Sequence, residues 1–261
     1  MTEKTPSGRR AAVRLNRMVL RLARNWLRIV TFILAIYVTL PLAAPTLMNM
    51  GLGGPASLIY TVYSPFCHQF AFRSFFLYGS QPAYPRAVSG TNLVPFETYA
   101  ARSPDFRAAF SYYSGIPAEQ VTPADLLPFS PALQFAARDF RGDSVMGYKM
   151  TLCERDITIY AALLVGALIF AKVRTRLRPI PLWLYVILGL APIGLDGLSQ
   201  MLGYPPFNFW PPRETLPAFR VVTGALFGLA SAWLAFPYME ASMLETRAEI
   251  EHKLQQAGVN I

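Results

Sequence analysis

The sequence predicts an all-α membrane protein, a four-helix transmembrane bundle with both termini in the cytoplasm and an irregular extracytoplasmic cap. Three observations predict it. The chain of 261 residues is 53% hydrophobic and only 15% charged, and its mean hydropathy of +0.32 is high for a soluble domain. Four long apolar segments contain almost no charge. Basic clusters lie beside those segments rather than within them.

The four predicted spans differ in length and in how clearly they end. The first is long enough to cross a hydrocarbon core of about 30 Å at about 1.5 Å per residue, and Pro41 and Pro45 are expected to kink or end it. The second lies between Asp156 and Lys172 and is short, so it extends into its flanks or sits in thinned bilayer. The spans cover residues 26–48, 157–171, 181–202 and 216–238.

The basic clusters predict the orientation. Seven basic residues precede the first span, an eighth, Arg28, lies in its first turn, and four more crowd the loop after the second. Both clusters fall on one side, which the positive-inside rule makes cytoplasmic, in a plasma membrane. The basic residues are Lys4, Arg9, Arg10, Arg14, Arg17, Arg21, Arg24 and Arg28, then Lys172, Arg174, Arg176 and Arg178. The expected partners are the lipid bilayer, anionic headgroups at the N-terminal tail and a further membrane protein; the charge of +9 is not taken as a nucleic-acid signal.

Five regions follow from these features: a basic cytoplasmic tail (1–25), the first span (26–50), the extracytoplasmic cap (51–155), a three-span bundle (156–238) and an amphipathic cytoplasmic tail (239–261). The apolar spacing in residues 240–256 predicts a short helix within the last of them. A cleaved signal peptide is the alternative for the first span, although the apolar stretch continues beyond its small residues.

The cap is rich in aromatic residues and then in proline. Tyr60, Tyr63, Phe66 and Phe70 recur at helical spacing and predict a short helix at the membrane interface; packing of the rings on the bundle is the compatible alternative. Seven prolines between residues 81 and 130 predict short, irregular elements without an obvious core pattern. We therefore expect a folded but irregular cap with short helices; a mobile loop is the alternative.

The two cysteines, Cys67 and Cys153, both fall in the cap, where an exported compartment would favour one disulfide between them. A zinc site is the alternative: the two thiols and His68 supply three ligands, and Asp156 or Asp196 could complete a tetrahedron. Quinone-linked thiol chemistry is disfavoured because neither cysteine has another close by in sequence. His68 is otherwise a hydrogen-bonded structural residue.

Asp196 and Arg220 are the charged residues at similar depth in the last two spans, and Gln200 follows Asp196 by one turn. Because the two spans are joined by a short loop, we expect Asp196 and Arg220 to form a direct or water-bridged contact. Together with a charge cluster at the start of the second span, they define a candidate polar site. Its members are His68, Gln69, Arg73, Arg155, Asp156, Asp196, Gln200 and Arg220, beside Cys67 and Cys153.

These residues form an ordered set of motifs: Cys67-His-Gln69, Arg73-Ser-Phe-Phe76 with Gly79, Cys153-x-Arg-Asp156, Pro192-x3-Asp-Gly197 with Gln200, and Arg220-x2-Thr-Gly224 with Gly228. The set resembles the membrane-protein family catalogued as domain of unknown function 2085. The resemblance covers residues 60–79 and 153–228 and implies a small helical membrane protein without an assigned reaction. The long insertion 80–150 departs from the compact form of that family.

The favoured functional hypothesis is an accessory membrane component whose polar site binds a small ligand, metal, lipid headgroup or partner. The rival is a membrane enzyme acting on a lipid or isoprenoid at the outer leaflet. In that enzyme Asp196, His68 and Asp156 would be acid–base or metal-ligating residues, while Arg73 and Arg220 would hold a phosphate. A transporter is disfavoured because the four spans show no internal repeat.

Overall fold

A computed structural model describes residues 6–259 of the protein. It is mostly helical, and within this range four helical segments are long and apolar enough to cross a membrane, as predicted. The parts of the predicted tails at residues 1–5, including Lys4, and at residues 260–261 lie outside the described residues. The long elements are α1 (Pro6–Asn49), α6 (Glu154–Val173), the segment Leu182–Leu202 and α9 (Pro217–Gln256).

The prediction that Pro41 or Pro45 ends the first span is wrong, because α1 continues through both to Asn49. Pro41 has no N–H to give to the carbonyl of Tyr37, four residues before it. The hydroxyl of Tyr63 donates to that carbonyl instead, at 2.8 Å. A side chain from α2 (Gly53–Tyr63) therefore satisfies the backbone group that the proline leaves without a partner.

Helices α1 and α9 are also longer than their predicted spans. The 44 residues of α1 correspond to about 66 Å, roughly twice the hydrocarbon thickness. The predicted tail helix is the end of α9, not a separate element. We call the paired ends, residues 8–25 of α1 and 240–256 of α9, the stalk. Leu20, Ile250 and Leu254 form its core, and Arg24 pairs with Glu251 at 2.7 Å.

The core of the bundle is formed where α1, α6 and α9 pack against one another. Trp26, Phe170 and Phe236 cluster there, and the indole N–H of Trp26 donates to Glu240 at 2.7 Å. A Cβ on Gly224 of α9 would lie 2.8 Å from the carbonyl oxygen of Arg155. The close approach of α6 and α9 therefore requires a glycine at that position.

The third predicted span is not one regular helix. It consists of α7 (Leu182–Tyr185), a π-helical stretch (Val186–Leu190) and α8 (Ala191–Leu202). Pro192 lacks the N–H that a regular helix would direct to residue 188, and the widened turn lies at this point. Most of this segment is exposed on the outside of the bundle.

Residues 51–153, which we call the cap domain, correct the all-α prediction. They contain a three-stranded antiparallel sheet with strand order β1-β3-β2, in which Ser74 pairs with Cys153 and Phe76 with Lys149. The strands are β1 (Ser74–Leu77), β2 (Gly142–Asp143) and β3 (Gly147–Cys153). The helices are α2, α3 (Phe96–Ala100), α4 (Pro104–Ser114) and α5 (Pro131–Asp139), with 3₁₀ turns between them.

The cap domain has its own hydrophobic core, which the sequence pattern did not predict. Phe72, Phe96 and Phe106 are fully buried at its centre, together with small and aliphatic residues from α3 and α5. The aromatic helix is shorter than predicted, since α2 ends at Tyr63. Phe66 is 62% exposed, whereas Phe70 lies in the cap core.

Candidate functional site

A polar cavity of about 190 Å³ lies where the cap domain meets the ends of α6, α8 and α9. It brings together nine of the ten predicted site residues, together with Phe70; of the predicted set, Asp196 is not on its wall. The cavity is lined by Cys67, His68, Gln69, Phe70, Arg73, Cys153, Arg155, Asp156, Gln200 and Arg220.

Lys149 holds the loop that carries Cys67 and His68. Its ammonium group is fully buried and donates to the carbonyls of Gln69 (2.6 Å), Ala137 (3.0 Å) and Arg138 (2.6 Å). Burial lowers the pKa of Lys149 to about 7. Gln69 has a φ of 55°, which is uncommon outside glycine, and its side-chain amide donates to the Tyr60 carbonyl at 2.9 Å.

Cys153 occupies the junction between β3 and α6. Its sulfur caps the helix by accepting a hydrogen bond from the backbone N–H of Asp156 at 3.4 Å. Its own N–H donates to the sulfur of Cys67 at 3.3 Å. The Cys153 thiol also hydrogen-bonds to Cys67, which lowers the pKa of Cys67 and raises the pKa of Cys153.

The predicted disulfide is not formed, because both cysteines are free thiols. They are nevertheless adjacent. The sulfurs of Cys67 and Cys153 and a carboxylate oxygen of Asp156 lie within 4.8 Å of one another. This triad is drawn from the loop after α2, the end of β3 and the first turn of α6.

Glu214, in the loop before α9, is the centre of a buried ion network. It accepts from Arg73 at 2.5 and 3.2 Å and from Arg220 at 2.5 Å. It also accepts from Gln200 at 2.5 Å and from Tyr204 at 3.1 Å. Burial alone would raise the pKa of Glu214, but the charges of Arg73 and Arg220 outweigh it and hold that pKa below its usual value.

The predicted contact between Asp196 and Arg220 is wrong. Asp196 accepts hydrogen bonds from Arg155, from Arg213 at 2.9 Å and from Thr215 at 2.6 Å. Arg220 instead pairs with Glu154 at 3.2 Å and with Glu214. Two charged residues of the short loop before α9 take the place of the predicted contact: Arg213 pairs with Asp196, and Glu214 pairs with Arg220. The similar depths of Asp196 and Arg220 in their spans gave no information about these loop residues.

His68 is placed differently from what the zinc hypothesis requires, and Gln200 has a partner that the sequence did not predict. His68 is exposed at the edge of the cavity, with its ring centroid 5.4 Å from that of Phe70, and it does not belong to the Cys–Cys–Asp triad. Gln200 donates to Glu214 rather than to Asp196. Zinc ligation by Asp196 is therefore disfavoured, because that carboxylate is engaged by two arginines.

Sequence reasoning missed Glu214 and Lys149. Glu214 is only 5% exposed although it lies in the short loop between the last two spans. Lys149 is fully buried within a strand. The burial of both residues depends on contacts between distant parts of the chain. The sequence contained one indication, for Lys149: it is a lone lysine within the otherwise uncharged residues 144–153.

Comparison with known proteins gives the same resemblance as the motifs. The model of the family described as predicted membrane protein (DUF2085) matches residues 137–234, which confirms the predicted resemblance over that part of the chain. The chain is also 30% identical over 95 residues to the uncharacterized protein MJ1492 of Methanocaldococcus jannaschii. That match covers 36% of this chain and 55% of the relative, so the chain spans about half the length of the curated relative it matches. No solved structure matches the chain.

Proposed function

We propose that this multi-pass membrane protein is an accessory binding component, which holds one small polar ligand between the cap domain and the bundle. The observation that supports the proposal is the polar cavity itself, whose wall is built from four separate parts of the chain. Convergence of polar side chains in a concave site is the usual setting of a small-ligand site.

The engagement of the charged groups favours binding over catalysis on a lipid phosphate. In the enzyme hypothesis Arg73 and Arg220 would hold the phosphate and Asp196 would act as acid or base. Arg73 and Arg220 are paired with Glu214, and Asp196 is held by two arginines. A phosphate would have to displace buried carboxylates from their arginines, which is unfavourable.

The binding proposal is tested by thermal unfolding of the full chain in detergent, with zinc ions, inorganic phosphate or a soluble short-chain phospholipid added. A ligand at about 100 times its Kd should stabilise the protein by about 2.7 kcal/mol. We expect His68→Trp to abolish that gain by filling the cavity mouth, since no hydrogen bond joins His68 to another residue between 6 and 259. His252→Trp, at the exposed second histidine on the stalk, is the matched control. If no probe stabilises the protein, or both variants respond like the wild type, the proposal fails.

We further propose that the stalk and both termini are cytoplasmic and that the cap domain is extracytoplasmic, in a plasma membrane. The charge asymmetry supports this orientation, because the basic clusters lie at the end of the bundle away from the cap domain. Reporter fusions at Arg176 and at Pro104 should be found on opposite sides of the membrane. Reporters on the same side would contradict the four-span topology.

The length of the stalk limits the proposed contact with anionic headgroups. Arg9 lies 17 residues before Trp26, which corresponds to about 25 Å of helix and exceeds a Debye length of about 8 Å. We therefore propose headgroup contact for Arg21 and Arg28, next to the span. The outer part of the stalk is instead available to a membrane-protein partner. Vesicle binding that depends on anionic lipid should fall with Arg21→Gln and Arg28→Gln but not with Arg9→Gln.

A further inference from the structure

We infer that Cys67, Cys153 and Asp156 form a binding site for a thiophilic divalent metal ion of the zinc type. The inference rests on the cavity-binding function proposed above and names its ligand. Geometry is the first support. In a tetrahedral zinc site with Zn–S of about 2.3 Å and Zn–O of about 2.1 Å, neighbouring ligand atoms lie about 3.4–3.8 Å apart. The three atoms of the triad already lie within 4.8 Å of one another, so side-chain adjustments of about 1 Å complete the site.

The backbone around the triad is arranged for thiolate ligands. The sulfur of Cys67 accepts the N–H of Cys153, and the sulfur of Cys153 accepts the N–H of Asp156. Both cysteines therefore have a donor that does not compete for the metal, as the outer-shell partners of metal ligands do. The N-terminus of α6 adds its positive end at Cys153, which favours negative charge there.

Charge balance is the second, independent support. Glu154, Glu214 and Asp196 are all paired with arginines, whereas within residues 6–259 no cation pairs with Asp156. Asp156 is thus the one acid on the cavity wall that is available to a metal ion. Binding of a dication with release of the two thiol protons leaves the net charge of the region unchanged.

The triad leaves one coordination position for a water or another ligand. Three protein ligands with an open fourth position is the pattern of exchangeable or reactive zinc rather than of a closed structural site. All three ligands line the cavity, so we place the fourth position on the cavity side, with His68 outside the triad at the rim. Two sulfur ligands select zinc over the hard cations magnesium and calcium.

The test uses the full chain, purified in detergent under argon and titrated with Co²⁺ or Zn²⁺. We expect one ion per protein by elemental analysis and a thiolate-to-cobalt charge-transfer absorption. Cys67→Ser and Cys153→Ser should each remove most of that absorption, and Asp156→Asn should weaken binding by about tenfold or more. Glu119→Gln, an exposed acid of the cap domain, is the control and should change the affinity by less than twofold.

Two further measurements keep the inference testable if a variant fails to fold. In the wild type, Zn²⁺ should slow alkylation of both cysteines, and equal alkylation rates with and without zinc would overturn the site. His68→Ala should lower the affinity less than about threefold; a loss above tenfold would overturn the three-ligand arrangement.

The remaining outcomes separate this inference from the proposed function. A Cys67–Cys153 disulfide in protein isolated under argon, with no Co²⁺ uptake after reduction, would show that the pair is structural and overturn the metal site. Stabilisation by phosphate or phospholipid without metal uptake would also overturn the metal site while leaving ligand binding in the cavity intact. Failure of every probe would overturn both.

Discussion

Replacing Glu214 by glutamine should destabilise the protein strongly, although the residue lies in a short loop. One carboxylate contacts Arg73 of the cap domain, Gln200 of α8 and Arg220 of α9. The substitution preserves the size of the side chain and removes its charge. It therefore tests whether this one ion network joins the cap domain to the bundle.

The magnitude follows from what remains after the charge is removed. Arg73 loses its carboxylate partner, and Arg220 retains only Glu154. Removing one partner of a buried pair costs about 3–5 kcal/mol. The Arg73 side chain is 25% exposed and can be partly hydrated, so we expect the lower end, about 3 kcal/mol. At about 2–4 °C per kcal/mol for a chain of this size, Tm should fall by about 6–12 °C.

The assay is thermal unfolding in detergent, followed by circular dichroism. Glu251→Gln is the matched control, since it removes an exposed ion pair with Arg24 at 2.7 Å and should cost about 1 kcal/mol or less. If Glu214→Gln lowers Tm no more than Glu251→Gln does, Glu214 is hydrated and the network does not hold the cap domain.

The pH dependence gives a second readout for Glu214. Because its pKa is lowered in the folded protein, the folded state binds fewer protons than the unfolded state at acid pH. Its stabilisation is fully present above the ordinary glutamate pKa of about 4.3 and is lost as pH falls through the lower folded value. The Tm difference between wild type and Glu214→Gln should therefore shrink as the pH is lowered below about 4.

Three further predictions concern the supports of the site. The pKa of Lys149 is lowered to about 7 in the folded protein, whereas the ordinary lysine pKa is about 10.4. Between these two pH values the unfolded state binds one more proton than the folded state, so the free energy of unfolding should rise by about 1.4 kcal/mol per pH unit. Lys149→Met should remove that slope, and identical pH profiles of wild type and variant would refute the prediction. Asp196→Asn and Arg155→Met should be non-additive in a double-mutant cycle, with a coupling of at least about 0.5 kcal/mol, because the two side chains are paired; strict additivity would show that they are independent. Gly224→Ala should cost about 1–3 kcal/mol in thermal unfolding by crowding α6, whereas Gly194→Ala, which meets nothing within 4 Å, should be neutral; equal effects would mean that α6 and α9 are not closely packed.

The bundle was predictable because the membrane imposes a one-dimensional signal. An apolar run of fixed length identifies a span whatever its neighbours are, and all four predicted spans coincide with the four long helical segments to within one residue at the ends that the prediction overshoots. The helix ends were not predictable to the same degree. The stalk is stabilised by pairing of α1 with α9, as between Arg24 and Glu251, and residues more than 200 positions apart leave no local pattern.

The residues that line the site could be predicted from the sequence, but the pairs that its arginines and carboxylates form could not. Nine of the ten residues singled out from the sequence line one cavity, because unusual polar residues next to apolar spans are rarely placed without a partner. Which arginine meets which carboxylate depends on the path of the loop 203–216. That path places Glu214 beside Arg220, while Asp196 pairs with Arg155. The spacing of residues along the spans does not determine the path of the loop.

The position of the proposed metal site follows from the register of the small sheet. Pairing of Ser74 with Cys153 places the loop that carries Cys67 against the start of α6. Lys149, which precedes Cys153 by four residues in β3, holds the same loop by donating to the carbonyl of Gln69. The match to the family model begins at residue 137, so it includes Cys153 and Asp156 but not Cys67. The third ligand therefore comes from a segment that only the sheet brings into place. For this reason a substitution that loosens Lys149 should weaken metal binding without touching any ligand.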